Sequence, residues 1–518
     1  MYAAIYGTLD SLNLLLAAGA DPNLTNDAGA TALMWALGDR QYEKAILLLK
    51  HGANPNITSA DQNNPFKIAI SGKPSLPLLQ TFFDQGLKLD PAAASSRAFL
   101  RATLHNEPLK SLLIEHGVSS KVFVPPAVNP AAEATRVAGL RITALMSAAG
   151  PDFAPIERVQ SLLDLGADPN IKTTLGMTAL DFALRSGRTQ IVDLLKQAGA
   201  RPGDLPLQQA PAPQPANSPR AAILRAMPLL QRTDVDFFAK SGCISCHQNS
   251  LTAFVVSEAR KKRITVDERI AQSQLNLTSR YLDSQHERAL QGQPIPGAED
   301  TVSYILFGLA TEKLAPTLAT DSMARYLKNS QQADGSWRNA GNRPPIESSD
   351  IQTTALSLRS VQAFAVPTQR EDFNRALTLA TAWLAQSQPK STEDYAFKLL
   401  GLIWTKASPA LIKSTAQALL AEQRPDGGWV QIPALPSDAY ATGQALTALS
   451  LAGLKLPTQK QAIRFLLNTQ LPDGSWYLRS RSIPFQPYFE SKFPHGPDQF
   501  ISAAATNWAS LTLITSLP

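Results

Sequence analysis

The sequence predicts an all-α protein built from two helical repeat arrays in tandem. Three observations carry this. The phrase Gly19-Ala20-Asp21-Pro22-Asn23 returns as Gly52-Ala53-Asn54-Pro55-Asn56, and Gly166-Ala167-Asp168-Pro169-Asn170 is followed by Gly199-Ala200-Arg201-Pro202, each a step of 33 residues. A different phrase, Gln-x3-Gly-x-Trp, occurs at Gln331–Trp337, Gln423–Trp429 and Gln470–Trp476. Between the two sets lies a proline-dense stretch from Leu205 to Pro219, and no convincing strand pattern appears beyond it.

In the first array each Gly-Ala phrase follows a short leucine-rich helix: Leu12–Leu16, Ala45–Leu49, Val159–Leu163 and Ile191–Leu195. Helix pairs open on Thr31-Ala32-Leu33 or Thr178-Ala179-Leu180. Weaker copies end near Gly86 and Gly117, and an insertion from Phe123 to Gly139 stretches the next unit. The pattern resembles the ankyrin repeat and covers residues 1–203 as about six repeats, the first cut short at Met1. The resemblance implies a solenoid in which each unit buries its apolar face only against its neighbours. It also implies a protein partner held on the array, with a rigid scaffold as the alternative. A first unit lacking its start leads us to expect that the natural chain begins upstream of Met1.

Residues 204–219 read as a semi-rigid extended spacer, because proline excludes helix there. Soon after comes Cys243-Ile244-Ser245-Cys246-His247, a CxxCH motif that holds both cysteines of the chain. This spacing reads as a c-type haem attachment site. Cys243 and Cys246 would form thioether bonds to one covalent haem c, and His247 would be the proximal iron ligand. A dithiol or disulfide pair and an accidental match remain open, while zinc lacks further cysteines to complete its ligand set. For the sixth iron position His286 is the preferred candidate, with Met227, Met323 and His495 behind it and a vacant site equally open. The run Arg260-Lys261-Lys262-Arg263 could steer an acidic redox partner, or simply be a solvated helix C-terminus.

From 220 to 518 about twelve helices are expected, separated by Gly and Pro loops, one of them opening on a capping box at Thr265-Val266-Asp267-Glu268. The last two Gln-x3-Gly-x-Trp phrases lie 47 residues apart and the first two 92 apart, about two such units. Asp-Gly makes a tight turn, Trp covers a neighbouring helix end, and Gln can satisfy free backbone groups. Trp337, Trp429 and Trp476 are therefore structural. This half resembles the QW repeat of squalene cyclases and protein prenyltransferases. The resemblance implies an α/α toroid, α6/α6 if all twelve helices form, with the CxxCH motif near its start. The acidic DxDD signature of the cyclases is absent, and so is a zinc set like that of the prenyltransferases, so cyclase activity is not expected. Asp350, Asp438 and Asp498 stand at helix starts, where they read as caps or as walls of a cavity mouth.

Composition bounds the rest. The chain has 518 residues, a net charge of +6, 44% hydrophobic and 17% charged residues, which describes an ordinary soluble protein and gives no reason to expect nucleic acid. No apolar run is long enough to span a bilayer. The CxxCH motif implies export to the periplasm, although the N-terminus carries no signal peptide. The expected function is a haem c protein for electron transfer or redox sensing, with an ankyrin-bound protein partner. The alternatives are a toroid enzyme acting on a polyprenyl or other apolar small molecule, and a non-catalytic scaffold.

Overall fold

The computed structural model describes residues 1–71, 75–88, 107–116, 135–137, 140–204, 210–341, 343–454, 459–482 and 488–518. Residues 89–106 and 117 of the weak repeat ending at Gly117, all of the 123–139 insertion except residues 135–137, and residues 205–209 of the spacer lie outside them. The described chain is mostly helical.

The first array contains α1 (Tyr2–Ile5), α2 (Leu9–Ala17), α3 (Ala32–Gly38), α4 (Tyr42–Lys50), α5 (Pro65–Ser71), α6 (Leu76–Asp84), α7 (Glu107–Glu115), α8 (Ala144–Ala149), α9 (Ile156–Asp164), α10 (Ala179–Leu184) and α11 (Gln190–Gln197). Pairs such as α3 and α4 stack on the next pair, α3 on α5 and α4 on α6. The recurring phrases explain the stacking. Thr31 and Thr143 cap α3 and α8 through their hydroxyls, which accept from Met34 N and Met146 N. The closing Asn of each phrase clasps the next unit. Asn56 donates to the Gly86 carbonyl (3.0 Å) and accepts from Lys88 N (2.8 Å). Asn23 and Asn170 repeat the clasp on Gly52 and Asn54, and on Gly199 and Arg201. Gly52 sits at φ +87°, a left-handed conformation that ends a helix without a Cβ clash.

Two short ladders accompany the helices, one of them in the second half, where no strand is expected. β1 (Thr135–Val137) pairs antiparallel with β2 (Leu140–Ile142), and β3 (Trp429–Val430) with β4 (Ser437–Asp438). They link turns and do not form a sheet core.

The second half holds the twelve expected helices: α12 (Pro219–Ser241), α13 (Leu251–Lys261), α14 (Glu268–Leu290), α15 (Ala298–Thr311), α16 (Leu318–Ser330), α17 (Asp350–Ala363), α18 (Arg370–Gln386), α19 (Thr392–Trp404), α20 (Pro409–Ala421), α21 (Ala439–Leu451), α22 (Gln459–Thr469) and α23 (Gln499–Thr515). The cap of α14 is Asp267, which accepts from Arg269 N and Ile270 N, rather than Thr265. α13, α15, α17, α19, α21 and α23 pack in that order, and α23 returns to α13, which closes the circuit. These helices are enclosed by neighbours, so α15 is buried at every residue from Asp300 to Leu309 and α21 from Ala439 to Leu449.

The three Trp loops are copies of one device. Trp337, Trp429 and Trp476 are buried. Their indole Nε1 atoms donate to the carbonyls of Leu327 (2.6 Å), Leu419 (2.9 Å) and Leu466 (2.9 Å), and their backbone N atoms to Thr354, Thr442 and Thr506. Gln331 bonds the carbonyls of Gly335 and Ala376, and Gln470 those of Gly474 and Ala222, so each ties its own turn to a neighbouring helix.

The first array docks on this circuit at two places. Asp39 forms a buried ion pair with Arg325 (2.6 Å) and accepts from Gln369 (2.7 Å), while Glu287 on α14 accepts from Trp35 and Asn26, both at 2.9 Å. The backbones meet closely, since a Cβ at Gly38 would lie 2.1 Å from the Leu290 carbonyl oxygen. At the other place Arg481 donates to Asp152, and Arg185 to the Ser482 carbonyl. The end of the spacer also docks, through Gln214 N and Ala216 N, on the carbonyls of Gln470 and Leu467.

Candidate functional site

The starts of neighbouring inner helices are tied together at one end of the circuit. Asn339 donates its side chain to Asp300, at the start of α15, and its backbone N to Asp350, at the start of α17. Ser349 donates to Asp394 in the first turn of α19, and Asp438 caps α21 by accepting from Ala441 N (2.9 Å). Acids at these positions complement the positive ends of parallel helix dipoles.

A cavity of about 570 Å³ opens at this end. Pro151, Asp152 and Phe153 of the first array cover one side, and Ser349, Asp350, Trp383 and Lys390 form the rim. Asp152 is held by Arg481, whose Nε donates to Gln431 Oε1 (2.7 Å), and Gln431 in turn donates to Asp438 (3.0 Å).

The inner wall is polar and incomplete. Glu393, Tyr440 and Gln444 line the cavity at 4%, 1% and 1% exposure. Both carboxylate oxygens of Glu393, the Tyr440 hydroxyl and both amide atoms of Gln444 are buried without a hydrogen-bond partner. The Tyr440 hydroxyl and the Glu393 carboxyl lie near enough for each to act on the other's ionisation. Burial, with Asp394 next in line, holds the Glu393 carboxyl well above the usual carboxylate range. A buried polar group left without a partner costs about 1–3 kcal/mol, so three such side chains together call for polar company.

The CxxCH residues stand on the same interior. Cys246 opens a π turn, Cys246–Ser250, which packs on α12, α13, α15 and α23 instead of on an outer edge. Ser245 caps the turn, Asn249 donates to Asp234, and Asn507 donates to the His247 carbonyl (3.0 Å). Both thiols are free, Cys243 half-buried and Cys246 buried. Burial raises the Cys246 thiol, and so does Glu347 beside it, which is ion-paired to Arg343 at 2.6 Å. The Cys246 thiol is near enough to Tyr304 and Tyr440 to act on both hydroxyls electrostatically. His247 packs against Phe237 and Phe500, at 5.1 and 5.2 Å between ring centroids, and its Nδ1 is buried without a partner. Burial, helped by Arg343, pushes its pKa down to about 3, which leaves the imidazole neutral. By identity and spacing, two free thiols and a neutral imidazole suit covalent haem.

The remaining candidates separate. His286 lies on α14, its Nδ1 against the Asp283 carbonyl (2.5 Å), and its ring is not among those packed on His247. His495 meets Ser475 Oγ (2.7 Å) and so braces a Trp loop. Met227 and Met323 are core residues. Asp350 does line the cavity, whereas Asp438 is a cap and Asp498 accepts from Tyr477 and Ser480. Within the basic run Arg260 pairs with Glu268 and Glu312, and Lys261 with Glu258. Among the described residues no group of three or more His, Cys, Asp or Glu is placed to hold a metal ion, and no helix is long and apolar enough to cross a membrane. The sequence reading missed Glu393, Tyr440 and Gln444. A signal existed: Tyr440 and Gln444 stand one turn apart on a helix otherwise made of small and apolar residues.

Comparison with known proteins bears on the first half. Residues 1–90 match a family model described as ankyrin repeats (3 copies), and residues 144–195 one described as ankyrin repeats (many copies). The N-terminal array is an ankyrin-repeat solenoid. The ankyrin repeat protein YahD of Escherichia coli is 27% identical over 39% of this chain and 95% of its own length. An ankyrin repeat-containing protein of Treponema pallidum is 47% identical over 11% of this chain, and the E3 ubiquitin-protein ligase KEG of Arabidopsis thaliana is 23% identical over 38%. This chain spans only 18% and 12% of those two relatives. The solved human ASB11 ankyrin repeat domain aligns at 23% identity with 38% of this chain and 82% of that domain, with a TM-score of 0.19. Ankyrin repeats suggest a protein partner for this half.

Proposed function

We propose that residues 219–518 form an α6/α6 toroid like that of squalene cyclases and protein prenyltransferases, used as a ligand-binding chamber, and that the ankyrin array recruits a protein partner to it. The closed order of inner-helix contacts and the three equivalent Trp loops support the toroid. The observation that carries the chamber is the unpartnered set Glu393, Tyr440 and Gln444 on its inner wall. The same set argues against a polyprenyl substrate, because an apolar chain would leave every one of those groups unsatisfied. No acid of the cyclase signature and no zinc set is present in the sequence. Native mass spectrometry of the full chain after incubation with a small-molecule library tests this. A one-to-one adduct that disappears in Gln444→Trp, which fills the cavity, is expected; the absence of any adduct rejects the chamber.

A second reading is a redox protein with covalent haem, favoured by the free thiols of Cys243 and Cys246 and by the neutral, partly unsatisfied imidazole of His247. Those three residues would hold the group, which would supply one-electron chemistry, and the protein would then act outside the cytoplasm. Expression with export and haem-attachment machinery, followed by a reduced alkaline pyridine spectrum, decides it. A c-type band lost in Cys243→Ala/Cys246→Ala is expected, and no band rejects the reading.

A further inference from the structure

Resting on the chamber reading, we propose that the cavity binds a neutral, hydroxyl-rich small molecule such as a mono- or disaccharide, through Glu393, Tyr440 and Gln444. The argument is one of complementarity. The unpartnered atoms are mixed in kind: the Gln444 amide offers both donors and an acceptor, the Tyr440 hydroxyl gives and takes, and the Glu393 carboxyl does both when protonated. Burial favours that protonated form. Asp350 and Asp394 line the cavity against an anion, and Arg481 and Lys390 line it against a cation. A molecule rich in uncharged hydroxyls matches alternating donors and acceptors without either conflict. Trp383 at the rim adds a flat apolar surface suited to the C–H face of a sugar ring. The volume, about 570 Å³, lies within the range of small-ligand pockets.

Thermal melting of the full-length protein with glucose, maltose and cellobiose at millimolar concentration, and with farnesol as the apolar probe, tests the proposal. The expected result is a concentration-dependent rise in Tm with at least one sugar and none with farnesol. Tyr440→Phe and Gln444→Leu each weaken that response at least tenfold. Gln444→Leu deletes amide atoms that have no partner, so its ligand-free Tm stays at or above that of the parent, and a lost response there reports binding rather than unfolding. A rise with farnesol and no sugar overturns the ligand class but leaves the chamber standing. No rise with any probe overturns the ligand class, and, with no adduct by mass spectrometry, the chamber too. A sugar response unchanged in both variants overturns the assignment of these residues.

Discussion

The two arrays bury their helices under opposite end conditions. Along the ankyrin solenoid each helix pair packs on the pair before and after it, α3 on α5 and α4 on α6, and the clasp from Asn56 to Gly86 and Lys88 is a local stitch at the surface. In the second half the last inner helix returns to the first. Closure gives that half an inside, and polar residues on inner helices are then shut away from water. An open array displays its functional groups on faces, whereas a closed one can hold them at its centre. Glu393, Tyr440 and Gln444 are candidates only because the circuit closes around them.

This contrast can be broken most sharply at the Trp loops. Trp429→Ala removes a buried indole together with its bond to Leu419, and should cost about 3–5 kcal/mol in denaturant unfolding. A loss below about 1 kcal/mol would mean that the loops do not hold the circuit. Next comes the joint between the halves. Asp39→Ala leaves Arg325 buried without its carboxylate and should cost about 3 kcal/mol. Limited proteolysis should then release the ankyrin half earlier than in the parent; unchanged cleavage would show that the joint does not depend on this pair.

Within the solenoid the expected effects are smaller. Asn56→Ala removes two exposed inter-repeat hydrogen bonds and should lower stability by about 1 kcal/mol, with the change confined to the ankyrin half in hydrogen exchange. Protection lost equally in the second half would contradict the local character of the stitch. The smallest effect concerns pH. Burial pushes the Asp438 carboxyl up to about 6, so between the ordinary aspartate range and pH 6 the folded chain holds its proton more tightly than the unfolded chain. Stability from this group therefore falls as pH rises through that window and is level above it. Asp438→Asn keeps a capping side chain and should flatten the slope of Tm against pH from 4 to 6.5; an unchanged slope would assign it to other groups.

Much of this was legible in the residues. The recurrence of Gly-Ala-Asp-Pro-Asn marks the Asx turns and clasps that join repeats, and the Gln-x3-Gly-x-Trp loops adopt the roles their chemistry suggested. Both are local devices, written in residues close together in the chain. The cap of α14 was misplaced by two residues, because Thr265 and Asp267 are both competent caps and only the packed chain chooses between them. CxxCH lies between the first two helices of the second half and carries no local sign of its depth. Asn249 to Asp234 and Asn507 to His247 instead hold it among the inner helices.

What the sequence determined by itself is the set of repeats, their helices and their capping, since each depends on contacts within a few residues or one repeat period. The tertiary structure decided which polar groups lie inside. Glu393 sits in an ordinary helix-opening phrase, and the spacing of Tyr440 and Gln444 on a small-residue helix marks them as a pair without showing that they lie inside. Their burial follows from α23 meeting α13 and from Asp152 of the ankyrin array reaching Arg481, contacts between residues hundreds of positions apart.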